Sequence, residues 1–268
     1  MSTRVCLEKI NNIAFVALSR PEKYNALDMD MFYQIDKTIK KIKKDKSIRV
    51  VILTGQGENF CSGLDIKSVL QSPFNSLKLL WKLSPWRSNL AQRVSTAWRD
   101  LNVPVISVIQ GKCWGGGLQI ALGADFKFAY PNASFSIMEA KWGLVPDMGG
   151  TLPFKEHLAL DQAKLLAMTA EEISAEKALS LGLITAVSEN ALDEAKLLAN
   201  RLMVQSPDAI AGVKKLFNGS WSQSAGYALA RETWYQIKVM LGKNQRIKTY
   251  NQTHDDDSQR PFVNRKNW

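Results

Sequence analysis

Residues 103–129, VPVISVIQGKCWGGGLQIALGADFKFA, contain the pattern that decides the fold. Val103–Ile109 is apolar and largely β-branched, which predicts a buried strand that ends at Gly111. The three glycines 115–117 then lead into a predicted helix, and Phe126–Ala129 predicts a further strand. A strand, a helix and a strand in this order are typical of an α/β fold with parallel strands.

The same order of elements occurs earlier in the chain. Ile13–Leu18 is apolar and is followed by Arg20-Pro21, so it predicts a strand. Asp28 is a suitable N-cap for the next segment, in which apolar side chains recur at helical spacing and lysines occupy the other face. Val50–Thr54, closed by Gly55, predicts a strand that is covered on both sides.

The second half of the chain is predicted to be mostly helical, in segments 158–168, 175–181, 192–204, 207–217 and about 224–250. No strand is expected after about residue 138, apart from a short one near residues 184–187. Residues 67–95 are irregular, and we interpret them either as a cover over a site or as an ordinary surface excursion. We predict an α/β core, residues 1–200, followed by a helical region, residues 201–268.

Composition excludes several classes of protein. The chain has 268 residues, 46% of them apolar, and no apolar run approaches the roughly 18–20 residues of a membrane-spanning helix. The first ten residues lack the apolar core of a secretory signal, and we expect no membrane insertion. Cys6, Cys61 and Cys113 are too few and too scattered for a disulfide framework or a metal site. We therefore predict buried thiols, no bound metal and a cytoplasmic location.

The charge balance of 35 Lys and Arg against 25 Asp and Glu favours an acidic partner, which can be nucleic acid, an anionic membrane or a phosphorylated small molecule. Six lysines lie on or just after the helix that Asp28 caps: Lys37, Lys40, Lys41, Lys43, Lys44 and Lys46. Such a run is usually the solvated face of a helix, and no aromatic-rich stacking surface accompanies it. Nucleic acid is therefore not predicted as the main partner.

Two glycine-containing turns are candidates for ligand binding. Residues 110–119, QGKCWGGGLQ, can present backbone N–H groups to a ligand oxygen, as an oxyanion hole or a phosphate cradle. They lack the spacing of the common nucleotide-binding motifs, and a simple tight turn is the alternative. Residues 59–65, NFCSGLD, follow a buried strand at the place where α/β sheets bind ligands. Each turn can supply one of the two convergent donors that an oxyanion hole needs.

A third stretch, residues 136–150, contains two carboxylates. Glu139 and Asp147 lie in an apolar setting, broken by glycines and Pro146, in which two carboxyl groups can differ in pKa and transfer a proton. Alternatively, Glu139 forms an ion pair with Lys141 or an arginine, and Asp147 caps a turn. The residues alone leave both interpretations open.

Together with Arg20–Leu27, RPEKYNAL, these stretches resemble the crotonase, or enoyl-CoA hydratase/isomerase, superfamily over essentially the whole chain. The resemblance implies a spiral of ββα units with a C-terminal helical region that forms trimers, either a homotrimer or a hexamer built as a dimer of trimers. It implies an acyl-CoA substrate and no separate cofactor. The thioester oxygen would lie between the backbone N–H groups of Leu64 and Gly116, which would stabilise an enolate.

The resemblance also suggests roles for side chains. Glu139 matches the carboxylate that transfers a proton in hydratases and is the single base of isomerases acting on 3-enoyl-CoA. Gln119 occupies the place of the second hydratase glutamate, and an amide can orient a water or a polar substituent but cannot act as an acid or base. Asp147 matches the proton-transferring aspartate of dienoyl-CoA isomerases and the nucleophile of chlorobenzoyl-CoA dehalogenases.

The predicted activity is isomerisation or hydration of an enoyl-CoA, with Glu139 and Asp147 as catalytic residues. The alternatives are a coenzyme A-binding protein with weak turnover and an RNA-binding member of the superfamily. The resemblance places coenzyme A against Lys23, Ala26, Ser62, Asp65, Ile66, Phe262 and Lys266. Met138 and Trp142 are predicted to line the acyl pocket.

Overall fold

The computed structural model describes residues 3–69 and 71–266. The strands of this described part are β1 Val5–Ile10, β2 Ile13–Leu18, β3 Val50–Gly55, β4 Val105–Ile109, β5 Lys112–Trp114, β6 Phe126–Ala129, β7 Ser134–Ser136, β8 Glu172–Ser174 and β9 Ala186–Val187. The helices of the first half are α1 Met29–Lys44, α2 Ile66–Val69, α3 Pro73–Leu80, α4 Leu90–Thr96 and α5 Gly116–Ala121. Those of the second half are α6 Thr151–His157, α7 Leu160–Thr169, α8 Ala175–Ser180, α9 Ala191–Met203, α10 Pro207–Ser220, α11 Ala225–Met240 and α12 Lys243–Thr253.

The larger sheet has six strands in the order β1-β2-β3-β4-β6-β9. Only β1 and β2 are antiparallel, and the other neighbouring pairs are parallel. The central strands β3 and β4 are almost entirely buried because helices and loops cover both faces. The α/β fold with parallel strands that the sequence predicts is therefore confirmed.

A smaller sheet has three strands in the order β5-β7-β8. Its first two strands alternate along the chain with strands of the larger sheet. β4 of the large sheet is followed by β5 of the small sheet, and β6 is followed by β7. Two isolated parallel bridges, Leu27 with Leu64 and Cys61 with Cys113, extend this second layer back to the first turns. Each turn of the chain thus contributes to both layers, and this repeat brings the glycine-containing turns together.

Helix α1 confirms the predicted cap and the predicted buried face. The Asp28 carboxylate accepts a hydrogen bond from the Met31 N–H at 2.8 Å, which satisfies one of the free N–H groups of the first turn. The apolar side chains predicted to face the core are buried: Met31, Phe32, Ile35, Ile39 and Ile42. The six predicted lysines are all exposed.

The structure corrects three predictions. β8 lies after residue 138, where no strand was expected, because a three-residue strand is too short to show a period in sequence. The helical stretch 224–250 is two helices, broken where Gly242 takes an extended conformation and precedes α12. Cys6 is exposed on the edge strand β1, whereas Cys61 and Cys113 are buried as predicted.

The C-terminal helices contact the core unequally. α10 is fixed by Lys214, whose ammonium group is buried against the end of the sheet. In contrast, α11 has 16 residues, none of which is buried. Within residues 3–69 and 71–266, no helix is both long enough and apolar enough to span a bilayer.

Candidate active site

A cavity of about 180 Å³ opens between the two layers, next to the glycine-containing turns. Its walls are mainly apolar. Its lining residues are Phe32, Ser62, Gly63, Leu64, Ile66, Val69, Ser76, Leu79, Leu80, Ala91, Gly115, Gly116, Met138, Glu139, Trp142, Leu144, Asp147 and Met148. The three stretches that the sequence singled out therefore meet in one place.

Two backbone N–H groups on the cavity wall are free to bind a ligand. In the bridge between Leu27 and Leu64, the Leu27 N–H donates to the Gly63 carbonyl and the Asp65 N–H donates to the Leu27 carbonyl. The Leu64 N–H consequently faces away from Leu27, and it has no acceptor among the described residues. Neither does the Gly116 N–H, at the first residue of α5.

Glycine is required where the two turns approach each other. Gly63 has φ +91°, which other residues rarely adopt. A Cβ atom at this position would lie 2.9 Å from the Trp114 carbonyl oxygen and 3.4 Å from the Gly116 nitrogen. At Gly117 a Cβ atom would lie 2.3 Å from the Cys61 carbonyl oxygen. These glycines bring the Leu64 and Gly116 segments close enough for both to line one cavity.

Glu139 is half-buried, and its two carboxylate oxygens are in different situations. Oε1 accepts a hydrogen bond from Gln119 Nε2 at 2.6 Å. Oε2 is buried and has no hydrogen-bond partner among the described residues. Burial raises the pKa of the carboxyl group above its usual value of 4.5, and the charge of Asp147 raises it further. A carboxylate with one unpaired oxygen on a cavity wall is suited to accept a proton from a bound molecule.

Gln119 is held by three hydrogen bonds, and they determine the orientation of its amide. Its Oε1 atom accepts from the Met148 N–H at 3.0 Å and from the Gly150 N–H at 2.8 Å. Because these partners are both donors, Oε1 must face them and Nε2 must face Glu139. The side chain therefore connects Glu139 to the turn that carries Asp147.

Asp147 lies at the mouth of the same cavity and is more exposed than Glu139. Partial burial of its carboxyl group raises the pKa, although its own backbone N–H acts in the opposite direction. The alternative in which Glu139 pairs with Lys141 is not what the structure contains, because Lys141 lies 3.6 Å from Glu172 instead. The two carboxyl groups share one cavity, and their environments differ.

The predicted residues of the coenzyme A loop fall into two groups. Ser62 and Ile66 line the cavity. Asp65 instead accepts from Arg20 at 2.8 Å, and this arginine also donates to the Ala26 carbonyl at 3.1 Å, so that both are part of the loop framework. Arg20 and the Ser68 N–H lower the pKa of the Asp65 carboxyl group, against the effect of its burial. Lys23 is exposed and does not line the cavity.

The two predicted coenzyme A contacts near the C-terminus, Phe262 and Lys266, do not line the cavity. Phe262 packs over the guanidinium group of Arg49, 5.4 Å from the ring centre. The Lys266 N–H donates to Asp208 at 2.7 Å. Sequence reasoning missed Phe32, Met148 and the α3 residues Leu79 and Leu80 as cavity walls. Two of these residues could have been found from the sequence. Phe32 is on the apolar face of a predicted helix, and Met148 directly follows Asp147.

The arrangement can bind a carbonyl oxygen at the two free N–H groups and hold the rest of an acyl group in the apolar cavity. Met138 and Trp142 lie on the wall of the cavity, which Glu139 also lines. A carboxylate facing the same cavity can then move a proton at a carbon close to the carbonyl group. Within the described residues, no group of three or more His, Cys, Asp or Glu side chains is placed to hold a metal ion.

Comparison with known sequences agrees with this chemistry. A model of the family described as enoyl-CoA hydratase/isomerase matches residues 8–249. The short-chain-enoyl-CoA hydratase of Clostridium acetobutylicum is 33% identical over 232 residues, covering 85% of this chain and 86% of that protein. The carnitinyl-CoA dehydratase of Proteus mirabilis is 32% identical over 238 residues, covering 86% of this chain and 87% of that protein.

Solved structures share the fold over nearly the whole chain. An enoyl-CoA hydratase from Polaromonas sp. JS666 superposes with a TM-score of 0.85 at 25% identity, covering 97% of this chain and 99% of that one. An enoyl-CoA hydratase from Bacillus anthracis has the same fold, with a TM-score of 0.87 at 22% identity and coverage of 97% and 99%. The predicted crotonase-like fold is thus confirmed. The chain belongs to the enoyl-CoA hydratase/isomerase family of the crotonase superfamily and is an acyl-CoA-processing enzyme of that type.

Proposed function

We propose that the protein binds an enoyl-CoA with its thioester oxygen between the N–H groups of Leu64 and Gly116. Glu139 then transfers a proton at the carbon next to the thioester. The observation that carries this proposal is the buried Glu139 Oε2. Neither this atom nor the two backbone donors that share its cavity has a partner within residues 3–69 and 71–266. Buried polar atoms in proteins are rarely left without a partner unless a ligand supplies it.

For isomerisation of a 3-enoyl-CoA, Glu139 removes a proton from carbon 2. The electron pair moves onto the thioester oxygen, where the two N–H groups stabilise the negative charge. As the electrons return, a proton is delivered to carbon 4 by Glu139 or Asp147, and the double bond now joins carbons 2 and 3. The raised pKa values of both carboxyl groups bring them closer to the working pH, which favours proton transfer in either direction.

Hydration of a 2-enoyl-CoA is the second candidate, and the names of the hydratase and dehydratase relatives favour it. Water would add its oxygen to carbon 3, and a proton would be added to carbon 2. Gln119 cannot act as an acid or base here, and two of its hydrogen bonds are to backbone N–H groups. Glu139 and Asp147 would therefore have to activate and orient the water between them.

We further propose that the coenzyme A part lies along the loop predicted to bind it, with contacts from Lys23, Ala26, Ser62, Asp65 and Ile66. Contacts from Phe262 and Lys266, which do not line the cavity, stay a prediction. Support comes from Ser62 and Ile66, which line the cavity, and from the rigid Arg20–Asp65 pair behind them. The reaction needs no separate cofactor. A cytoplasmic location and the absence of a main role in nucleic-acid binding stay predictions.

We also propose that residues 1–200 form the core and that residues 201–268 associate into a homotrimer, alone or as a hexamer. The completely unburied helix α11 supports this proposal, because Leu229, Trp234 and Met240 are each more than half exposed. Apolar side chains on one helix at this exposure mark an interface. Sedimentation of the purified protein measures the number of copies.

The experiment that tests the activity uses purified protein with crotonyl-CoA, a 3-enoyl-CoA and a 3,5-dienoyl-CoA. Ultraviolet absorbance reports the conjugated double bond, and deuterium uptake reports proton exchange at carbon. Double-bond movement without loss of the conjugated product indicates isomerisation. Loss of conjugation in crotonyl-CoA indicates hydration. Absence of both, with acyl-CoA still bound, would leave a binding protein with weak turnover.

A further inference from the structure

An unusual lysine lies on β5, the strand that leads into the Gly115 and Gly116 turn of the cavity wall. The Lys112 ammonium group, on β5, lies 4.5 Å from the centre of the Tyr24 ring and 4.7 Å from the centre of the Trp114 ring. Each ring attracts the cation through its π-face. Within residues 3–69 and 71–266, no carboxylate lies within ion-pair distance of this ammonium group. We name Lys112, Tyr24 and Trp114 the lysine cage.

The lysine cage is held in place by the backbone around it. The Lys112 N–H donates to Asn59 Oδ1 at 2.9 Å, and its carbonyl accepts from the Cys61 N–H at 2.9 Å. The Trp114 ring nitrogen donates to Ser134 Oγ at 2.9 Å, which fixes the ring. The Lys112 backbone and the Trp114 ring are therefore fixed before any ligand arrives, and this lowers the entropic cost of binding.

On the Tyr24 side of the cage, the backbone is constrained. Tyr24 follows a short 3-10 helix in the left-handed conformation, with φ 52°. The next residue, Asn25, is fully buried, and its amide donates to three carbonyl groups of the loop that follows β3. The backbone at Tyr24 is therefore held in place, while about half of the Tyr24 side chain is exposed.

The lysine cage adjoins the wall of the cavity. The Tyr24 carbonyl accepts from the Ser62 N–H at 3.0 Å, and Ser62 lines the cavity. Trp114 directly precedes Gly115 and Gly116, which also line the cavity, and its carbonyl oxygen abuts Gly63. Lys112 begins β5 and lies four residues before Gly116, which at about 3.3 Å per residue in extended chain is at most about 13 Å from that residue.

Among the residues that the structure describes, the charge of Lys112 has no counter-ion and its three N–H donors have no acceptors. A π-face attracts a cation but supplies no oxygen lone pair, so these donors remain available. Phosphate oxygens are the strong acceptors that such a charge binds. In an acyl-CoA the phosphates lie beyond the pantetheine arm, on the outer side of the thioester. Resting on the function proposed above, we propose that the lysine cage binds a phosphate group of the coenzyme A ligand.

The test compares the binding of two non-reacting ligands, butanoyl-CoA and butanoyl-pantetheine, by titration calorimetry. For Lys112→Gln we expect the affinity for butanoyl-CoA to fall about tenfold or more, because a charge-assisted contact is lost, and the affinity for butanoyl-pantetheine to stay within about twofold. Lys37→Gln is the matched control. It removes the same charge from the exposed face of α1, and it should change neither affinity by more than about twofold.

A further variant and a further ligand check the role of the cage and identify which phosphate group it binds. Lys112→Arg should recover most of the affinity, because a guanidinium group also binds phosphate. Butanoyl-dephospho-CoA separates the two phosphate positions. If Lys112→Gln weakens its binding as well, the diphosphate is the partner, and if only butanoyl-CoA is affected, the 3′-phosphate is. Wild-type affinity should also fall more steeply with salt than that of Lys112→Gln.

Two results would overturn the proposal. If Lys112→Gln binds butanoyl-CoA as tightly as the wild type, or loses both ligands equally, the lysine cage is a structural feature of the loop. If the wild type binds butanoyl-CoA no better than butanoyl-pantetheine, no phosphate is recognised and the proposal also fails. Binding of neither ligand by the wild type would contradict the proposed function itself, which is a separate outcome.

Discussion

Two ionisable groups in this molecule, the buried Lys214 and the half-buried Glu139, have opposite surroundings. The Lys214 ammonium group on α10 donates to the Trp98 and Val103 carbonyls at 3.0 and 2.9 Å and to Asp125 at 2.7 Å. Its three donors are thus all used. Glu139 has one carboxylate oxygen bonded to Gln119 and the other buried with no partner among the described residues.

The difference separates a structural charge from one available for chemistry. Burial disfavours the charged form in both cases, lowering the pKa of Lys214 and raising that of Glu139. Lys214 regains this cost through its three partners, while Glu139 regains only part of it. A ligand or a proton can offset the remaining desolvation cost of the Glu139 carboxylate. At Lys214 the three protein partners leave no donor for a ligand to bind.

The largest effect is expected for Glu139→Gln. This change keeps the shape of the side chain and removes its capacity to take a proton, so turnover of enoyl-CoA should fall about 10²–10⁴-fold. Binding of butanoyl-CoA should stay within a few-fold, which calorimetry measures alongside the turnover assay. Full turnover in this variant would contradict the proposed role.

The same substitution should affect stability in a pH-dependent way. Because the pKa of Glu139 is raised in the folded protein, the folded state holds its proton more tightly than the unfolded chain. The wild type therefore loses stability as pH rises from about 4.5 through the raised pKa, and Glu139→Gln should not. Urea unfolding should show the variant equal to the wild type at low pH and at least as stable at neutral pH.

Lys214→Met tests the structural charge, since it removes the ammonium group that is fully paired in the folded protein. Asp125 would then lack its ion pair and two buried carbonyls would lack a donor, so the free energy of unfolding should fall by about 3–5 kcal/mol. Lys215→Met, on the same helix and less buried, is the control and should cost much less. The turnover of the folded fraction should be unchanged. An unaltered denaturation midpoint for Lys214→Met would show that this charge is not needed for stability.

Asp147→Asn should have a smaller effect, with turnover lowered at least about tenfold if Asp147 transfers a proton. Its charge raises the pKa of Glu139, so the acidic limb of the rate profile should also move to lower pH. If Asp147 only stabilises its turn, stability should fall by about 1 kcal/mol and activity should survive. Rate profiles and urea unfolding of the same preparation distinguish the two outcomes.

The smallest change is expected for Gln119→Glu. The new carboxylate can still accept from the Met148 and Gly150 N–H groups, but it replaces the donor that lowers the pKa of Glu139. As a base, Glu139 must be deprotonated, so the acidic limb of the rate profile should move to higher pH. The limb is measured with a 3-enoyl-CoA between pH 5 and 9. An unmoved limb would show that Gln119 does not set the protonation of Glu139.

Much of the fold was accessible from sequence because its long elements have clear periods. The apolar strands β2, β3, β4 and β6 and the buried face of α1 were predicted at nearly their observed bounds. The three-residue strands β5, β7 and β8 were not, since their pairing depends on distant partners and not on local pattern.

The candidate site shows the same division. Glycines and two carboxylates in an apolar setting pointed to residues that share one cavity, Gly116, Glu139 and Asp147 among them. The orientation of the Gln119 amide was not accessible, because it depends on N–H groups about thirty positions further along the chain. The lysine cage was missed for a similar reason, since Tyr24 and Lys112 come together only in the folded molecule.

The bridges Leu27 with Leu64 and Cys61 with Cys113 have a consequence for how the protein becomes active. They join three successive turns of the chain, and the N–H groups of Leu64 and Gly116 face the same cavity only when all three turns are in register. Contacts between residues so far apart in sequence form late and slow folding. During refolding, catalytic activity should therefore return later than the circular dichroism signal of the helices. The rate at which activity returns then measures the last step of folding.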